Sequence, residues 1–252
     1  MKLPPNQIKT SLEGGEMTTG CWLSLSSVET TEIAANAGFD WCLIDGEHSP
    51  WNPTLVLDRL RALDAARCQA ALRVPVADDW IIKQALDMGV QTLLVPMVHN
   101  AAAAADIVAA TRYPPLGRRG MGAGGARATR YGRVTDYDTS ANNEVLLLVQ
   151  AESREAIENI DEIAATEGVG GVFIGPSDLS ADMGFVGNPN APEVISAIET
   201  SIARIHAAGK ASGIITFDPA HITRYRELGV QFMAVAADGL ALQHGLSAAL
   251  AV

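Results

Sequence analysis

The chain has 252 residues, 48% hydrophobic and 19% charged, a globular composition that can build a core without disulfide or metal staples. Its net charge of −11 excludes the basic face that nucleic-acid binding needs and offers no attraction to anionic lipid headgroups. No apolar run approaches the roughly 20 residues that span a bilayer.

Residues 1–17, MKLPPNQIKTSLEGGEM, lack the apolar core of a secretory signal. They are expected to form a disordered arm ahead of a single domain over 18–252. Cys21, Cys42 and Cys68 are odd in number and have no C-x-x-C spacing. Cys21 and Cys42 sit in apolar segments as small buried thiols, and the set predicts a reducing, cytoplasmic compartment.

Short apolar runs alternate with helical stretches along the whole chain. The predicted strands, in order, are 20–25, 41–45, 69–74, 92–98, 145–151, 171–175, 212–217 and 232–236. They show little alternation, as expected of parallel strands buried on both faces. The predicted helices are 28–37, 53–67, 79–88, 101–111, 154–165, 192–208, 219–228 and 240–250. Gly38, Gly89, Gly209 and Gly229 lie just past helix ends, where a left-handed residue is wanted. Asn52-Pro53 and Asp218-Pro219 place a capping side chain before a first-turn proline. Eight such β/α units fit a (β/α)8 TIM barrel, an α/β fold; a doubly wound open sheet is the alternative. No G-x-G-x-x-G follows the first strand, which weakens a dinucleotide-binding reading. The one long irregular stretch, residues 113–143, is of the length usually found in functional or interfacial loops.

In a barrel, functional side chains project from the C-terminal ends of strands. The scarce polar residues of this chain collect there. Trp22 and Ser24 lie on the first strand, and Asp45-Gly46-Glu47-His48 follows the second. Arg73 ends the third, Gln150-Ala151-Glu152 ends the fifth, and Gly175-Pro176-Ser177-Asp178 follows the sixth. Phe217 ends the seventh and Asp238 follows the eighth. Glu152 and Asp178 are neighbouring carboxylates that can share a site through a divalent cation or if one is protonated; two solvated loop carboxylates are the bland reading. His48 can serve as a general base, a third metal ligand or an exposed loop residue. Arg73 needs an anionic partner, either Glu152 or a developing enolate oxygen. Gly175, Pro176 and Ser177 can offer backbone to a substrate carboxylate, and Ser177 or Asp178 can cap the next helix. Gly-Ala-Gly-Gly at 122–125 and the pair Arg118 and Arg119 are weaker anion-binding candidates.

Several long segments, in order, resemble the HpcH/HpaI aldolases: GFDWCLIDGEH, IKQALDMGVQTLLVPMV, ATRYPPLGRRG, LLVQAESR and GVFIGPSDLSADMG. The resemblance runs from about Gly20 to the C-terminus. It implies a class II pyruvate-type aldolase that needs a divalent cation (Mg²⁺, Mn²⁺ or Co²⁺) and no organic cofactor. Reversible cleavage of 4-hydroxy-2-oxo acids would release pyruvate or hydroxypyruvate and an aldehyde. By similarity, Glu152 and Asp178 hold the metal; Gln150, Ser177 and Asp178 contact substrate; and Arg73 steadies the enolate. His48 is the base and Asp87 its acidic partner. Ser177 stands where close relatives usually carry alanine, which points to a donor with an added hydroxyl. Asp87 ends a predicted helix at the far end of the barrel from His48, so for that pair to form either the helix geometry differs or the contact crosses a subunit interface. It further implies a homohexamer, a dimer of trimers, with the C-terminal helix swapped between neighbours. Lys83 and Lys210 lie in or beside helices, away from the strand ends where a Schiff base would form. The competing readings are a citryl- or malyl-thioester lyase, whose coenzyme A phosphates only Arg118 and Arg119 could receive, and a catalytically silent metabolite-binding barrel.

Overall fold

The computed structural model describes residues 1–251. Eight parallel strands close into a barrel in sequential order: β1 (Thr18–Leu23), β2 (Trp41–Asp45), β3 (Gln69–Arg73), β4 (Thr92–Val95), β5 (Leu146–Ala151), β6 (Gly171–Ile174), β7 (Ala211–Ile215) and β8 (Phe232–Ala237). The closed ring excludes the open doubly wound sheet. The helices are α1 (Gln7–Glu13), α2 (Val28–Ala35), α3 (Pro53–Ala66), α4 (Asp79–Asp87), α5 (Ala101–Thr111), α6 (Tyr137–Glu144), α7 (Arg154–Glu158), α8 (Ile160–Ala165), α9 (Pro176–Asp182), α10 (Pro192–Ala207), α11 (Pro219–Glu227) and α12 (Asp238–Leu250).

Local chemistry places most of these boundaries. Asn52 accepts from the amides of Thr54 and Leu55 to start α3, and Asp218 accepts from Ala220 to start α11, each ahead of its proline. Gly89 and Gly229 turn the chain back toward the barrel at φ 93° and 81°. The single helix predicted over 154–165 is two, α7 and α8, divided at Asn159, whose side-chain amide donates to the His99 carbonyl.

The apolar surface divides into two layers. Inside the barrel, Trp41 stacks on Phe232 at 3.8 Å, with Leu43, Leu94, Leu148 and Phe173 filling the remaining interior. Gly20 is required here, because a Cβ would lie 2.1 Å from the Trp41 ring. Outside, Leu60, Leu63, Ile82, Leu86, Ile163 and Ile202 pack helices onto the strands.

The N-terminal segment departs from the expected disorder. Residues 7–13 form α1, whose Ile8 and Leu12 are buried against the interior cluster at the bottom of the barrel. Asn6 caps the helix and donates to Thr92 Oγ1, at 2.9 Å, and to the carbonyls of Gln91 and Glu144. Seven residues carry too little periodicity to mark a helix in the sequence, and burial supplies what propensity does not.

The long connection between α5 and β5 builds a small core of its own from Tyr113, Val134, Tyr137 and Ala141. At the other extreme, residues 241–250 of α12 are all exposed. All three cysteines are unpaired and buried. No helix among the described residues is long and apolar enough to cross a membrane.

Candidate active site

The strand ends meet in a cavity of about 280 Å³. Trp22, His48, Arg73, Gln150, Gly175, Pro176, Ser177 and Asp178 line it together with Phe173 and Ile215, which sequence reasoning did not single out. A larger cavity of about 540 Å³ opens at the opposite end, beside the N-terminal arm, among Arg61, Arg127 and Arg130.

Asp45 and Arg73 are paired residues across β2 and β3. Arg73 Nε and Nη2 donate to the two Asp45 oxygens at 2.9 and 2.7 Å, with both side chains buried. Trp22 Nε1 donates to Asp45 at 3.1 Å, and its ring lies 4.8 Å under the guanidinium carbon. Burial pushes the Asp45 carboxyl up, but the hydrogen bonds and charge of Arg73 outweigh it and hold the group below the usual carboxylate range. Arg73 Nη1 also lies 2.7 Å from Glu47 Oε2. The anionic partner of Arg73 within the chain is therefore the Asp45–Glu47 pair and not Glu152. Their common position at the ends of adjacent strands was the available signal.

Glu152 is buried, and its Oε1 accepts from the Met97 amide at 2.9 Å. Met97 holds a left-handed φ of 58°, a strained conformation for a side-chain-bearing residue, which turns its N–H onto the carboxylate. Oε2 accepts from Gln150 Nε2, leaving the Gln150 carbonyl oxygen buried without a partner. Burial, with the charges of Asp178 and Glu47 beside it, pushes the Glu152 carboxyl up to about 7 against the opposing hydrogen bonds from Met97 and Gln150. Gly175 makes room for the group, since a Cβ there would lie 2.5 Å from Glu152 Oε2 and 2.9 Å from Gln150 Nε2. Asp178, in the first turn of α9, is exposed. The helix begins with Pro176 on Gly175, so neither Ser177 nor Asp178 is its cap.

This donor set fits a hard divalent cation. Glu152 is a buried carboxylate next to Asp178 and Glu47, with the nearby cation Arg73 already committed to other acids. No group of three or more His, Cys, Asp or Glu positioned to hold a metal occurs among the described residues. Two carboxylates would leave most positions of a six-coordinate ion to water and substrate.

His48 sits at the mouth with its side chain 65% exposed, its nearest acid being Glu47 at 4.0 Å. Asp87 is elsewhere. It ends α4 and accepts from Arg119 Nη2 at 2.7 Å. Arg119 is buried between Tyr113 and Tyr137, with its guanidinium carbon 4.4 and 5.6 Å from their ring centroids. Within the chain, Asp87 is thus the partner of Arg119 and makes no contact with His48. Arg118 is tied to Asp79 and Asp106. Neither arginine is free for a phosphate, because one is buried and the other neutralised, and residues 123–125 form a single 3-10 turn. His206 bonds Ser212 Oγ at 2.8 Å, while His99 bonds Ser153 Oγ at 2.8 Å behind Glu152. Phe217 does not line the central cavity; it lines an adjoining one of about 290 Å³.

A parallel barrel with acids, an arginine and a histidine gathered at its C-terminal rim is the architecture of a metabolic enzyme. The chain belongs to the HpcH/HpaI aldolase/citrate lyase family, whose model matches residues 18–245. A hydroxypyruvate/pyruvate aldolase of Agrobacterium fabrum is 52% identical over 238 residues, covering 94% of this chain and 90% of the relative. A 4-hydroxy-2-oxo-heptane-1,7-dioate aldolase of Salmonella dublin is 50% identical over 243 residues, covering 96% and 92%. The crystal structure of an HpcH/HpaI aldolase/citrate lyase family protein from Burkholderia cenocepacia superposes with a TM-score of 0.94 at 39% identity, covering 97% of this chain and 98% of that one.

Proposed function

We propose that the chain is a divalent-cation-dependent aldolase that reversibly cleaves 4-hydroxy-2-oxo acids to pyruvate or hydroxypyruvate and an aldehyde. The observation that carries this reading is the buried Glu152 beside Asp178 in the same rim as Arg73 and Gln150, with no cation of its own. Glu152 and Asp178 would hold Mg²⁺, Mn²⁺ or Co²⁺, and a bound ion would supply Lewis-acid polarisation worth several kcal/mol.

The rest falls to the protein. Arg73, oriented by Asp45 and Glu47, keeps donors of Nη1 and Nη2 for the oxygen on which enolate charge develops. Gln150 offers its unpartnered carbonyl oxygen or, after rotation, its amide. His48 takes the proton from the C4 hydroxyl in cleavage and returns it in synthesis. No lysine lines the cavity among the described residues, so the amine for an imine route is missing. The commitment of Arg118 and Arg119 to acids within the chain disfavours a thioester substrate.

The same reading takes the protein as a homo-oligomer. Leu242, Leu246 and Leu250 of α12 are 51%, 61% and 90% exposed, an apolar stripe suited to docking on a neighbouring subunit of a hexamer. An unsplit pairing of Asp87 with His48 would then have to cross between subunits. Three buried free thiols fit a reducing cytoplasm.

The test follows aldol cleavage of a 4-hydroxy-2-oxo acid by coupled pyruvate detection. Activity lost on exhaustive chelation and restored by Mn²⁺ supports the reading. Full activity after chelation, or an imine trapped on lysine by borohydride, overturns it.

A further inference from the structure

Cys42 and Cys68 take no part in the chemistry at the rim. Their Sγ atoms lie 3.7 Å apart in the apolar layer between strands and helices. Cys42 is in the middle of β2, whereas Cys68 lies in the turn between α3 and β3. The two differ in access. Cys42 is fully enclosed, but Cys68 is 9% exposed and lines a cavity of about 150 Å³ with Asn6, Asp64, Arg67, Gln69 and Gln91. Arg127 neutralises Asp64, and Arg67 has no ion-pair partner among the described residues, so Arg67 brings a positive charge to that wall. A thiol with access and a nearby cation is the reactive kind. Hydrogen bonding from Cys42 holds the Cys68 thiol below its ordinary range, against burial and the charge of Asp40. The same contact and burial push Cys42 up. Cys21 faces Cys42 in register across β1 and β2, but burial pushes its thiol up to about 12 and its sulfur meets the Trp22 carbonyl.

We propose that Cys42 and Cys68 form a peroxide-responsive modification site, in which Cys68 is oxidised first and Cys42 resolves it as a disulfide within the chain. The Cys68 thiolate attacks one oxygen of hydrogen peroxide. The O–O bond breaks, a sulfenic acid forms on Cys68, and the departing hydroxide leaves as water with the thiol proton. Cys42 Sγ then attacks the Cys68 sulfur. The S–O bond breaks, a second water leaves with the Cys42 proton, and two thiols have given two electrons to one peroxide. The sulfurs must close to about 2.0 Å. Cys68 makes that movement, because it precedes Gln69, the first residue of the β3 ladder, while Cys42 is paired on both sides. The bond fastens β2 to the turn after α3 and is independent of the reaction at the rim.

The experiment treats the folded protein with a small molar excess of hydrogen peroxide, then titrates thiols in denaturant and maps a tryptic digest without reduction. Free thiols are expected to fall from three to one and to return to three with dithiothreitol. Cys21 and Cys42 share one tryptic fragment, so fragmentation of the linked peptide assigns the bond, which is expected to persist in Cys21→Ala. In Cys42→Ala, dimedone is expected to label Cys68, since the sulfenic acid then has no resolving thiol. Three thiols surviving the treatment, a bond to Cys21 or between two chains, a dimedone adduct on another cysteine, or oxidation that dithiothreitol does not reverse overturns the site. The mapping of the unaltered chain decides the pairing even where a variant fails to fold.

Discussion

Asp45 and Arg73 end neighbouring parallel strands at the same register position, and their side chains close a two-pronged ion pair with the guanidinium over the Trp22 ring. A buried arginine cannot shed its charge, so the pair stabilises the fold as well as aiming the guanidinium into the cavity. Asp45→Asn is expected to destabilise the protein by about 3–5 kcal/mol, the usual cost of breaking a buried pair, as read by urea unfolding. It also lowers kcat/KM, because Arg73 loses one of the acids that orient it.

Glu152 and Asp45 impose opposite pH slopes on stability. The folded-state pKa of Glu152 is raised to about 7, so the native protein without cation binds more protons than the unfolded chain between about 4.5 and 7. Stability falls as pH rises through that window. Asp45 is lowered, so its contribution is present above the unfolded carboxylate value and lost as pH falls through the folded one. Glu152→Gln is expected to flatten the upper slope and raise the melting temperature of the chelated protein at pH 8, while abolishing stabilisation by Mn²⁺. Scanning calorimetry of both proteins across pH, with and without Mn²⁺, measures this. An unchanged slope in the variant contradicts the assignment.

His48 is exposed at the mouth, so its removal costs little folding energy. His48→Ala is expected to lower kcat by about 10²–10⁴-fold, with the melting temperature and the KM for the oxo acid nearly unchanged. Steady-state kinetics beside a thermal melt separate this from a packing defect.

Asp87 presents a choice that stability and kinetics resolve together. In the chain it neutralises a buried arginine that already has two unpartnered nitrogens, Nε and Nη1. Asp87→Asn is therefore expected to destabilise by about 2–4 kcal/mol through loss of that charge. A role as the partner of His48 in a neighbouring subunit would instead appear as a displaced kcat–pH profile at native stability.

Much of the fold was legible along the chain because its information is local. Unbroken apolar runs mark strands buried on both faces, and a glycine just past several helices marks the return toward the barrel, as at Gly89 and Gly229. Prolines behind Asn52 and Asp218 locate two helix starts to the residue. Short elements were not legible. Seven-residue α1 is stabilised by burial of Ile8 and Leu12 and by Asn6 bonding into the barrel floor, partners more than eighty residues away.

At the site, chain order places Glu152, Asp178, His48 and Arg73 at one level, since Arg73 ends and the other three follow parallel strands whose ends coincide. Which of them touch is a matter of register and depth. Arg73 meets Asp45 because β2 and β3 align those two residues, and Glu152 is left without a cation as a result. Asp87 faces Arg119 and not His48 because α4 runs antiparallel to its strand and carries its last turn to the opposite end. Residue types are set by composition and spacing, but the energy of a charge depends on its neighbours and its distance from water, and those exist only once the barrel has closed.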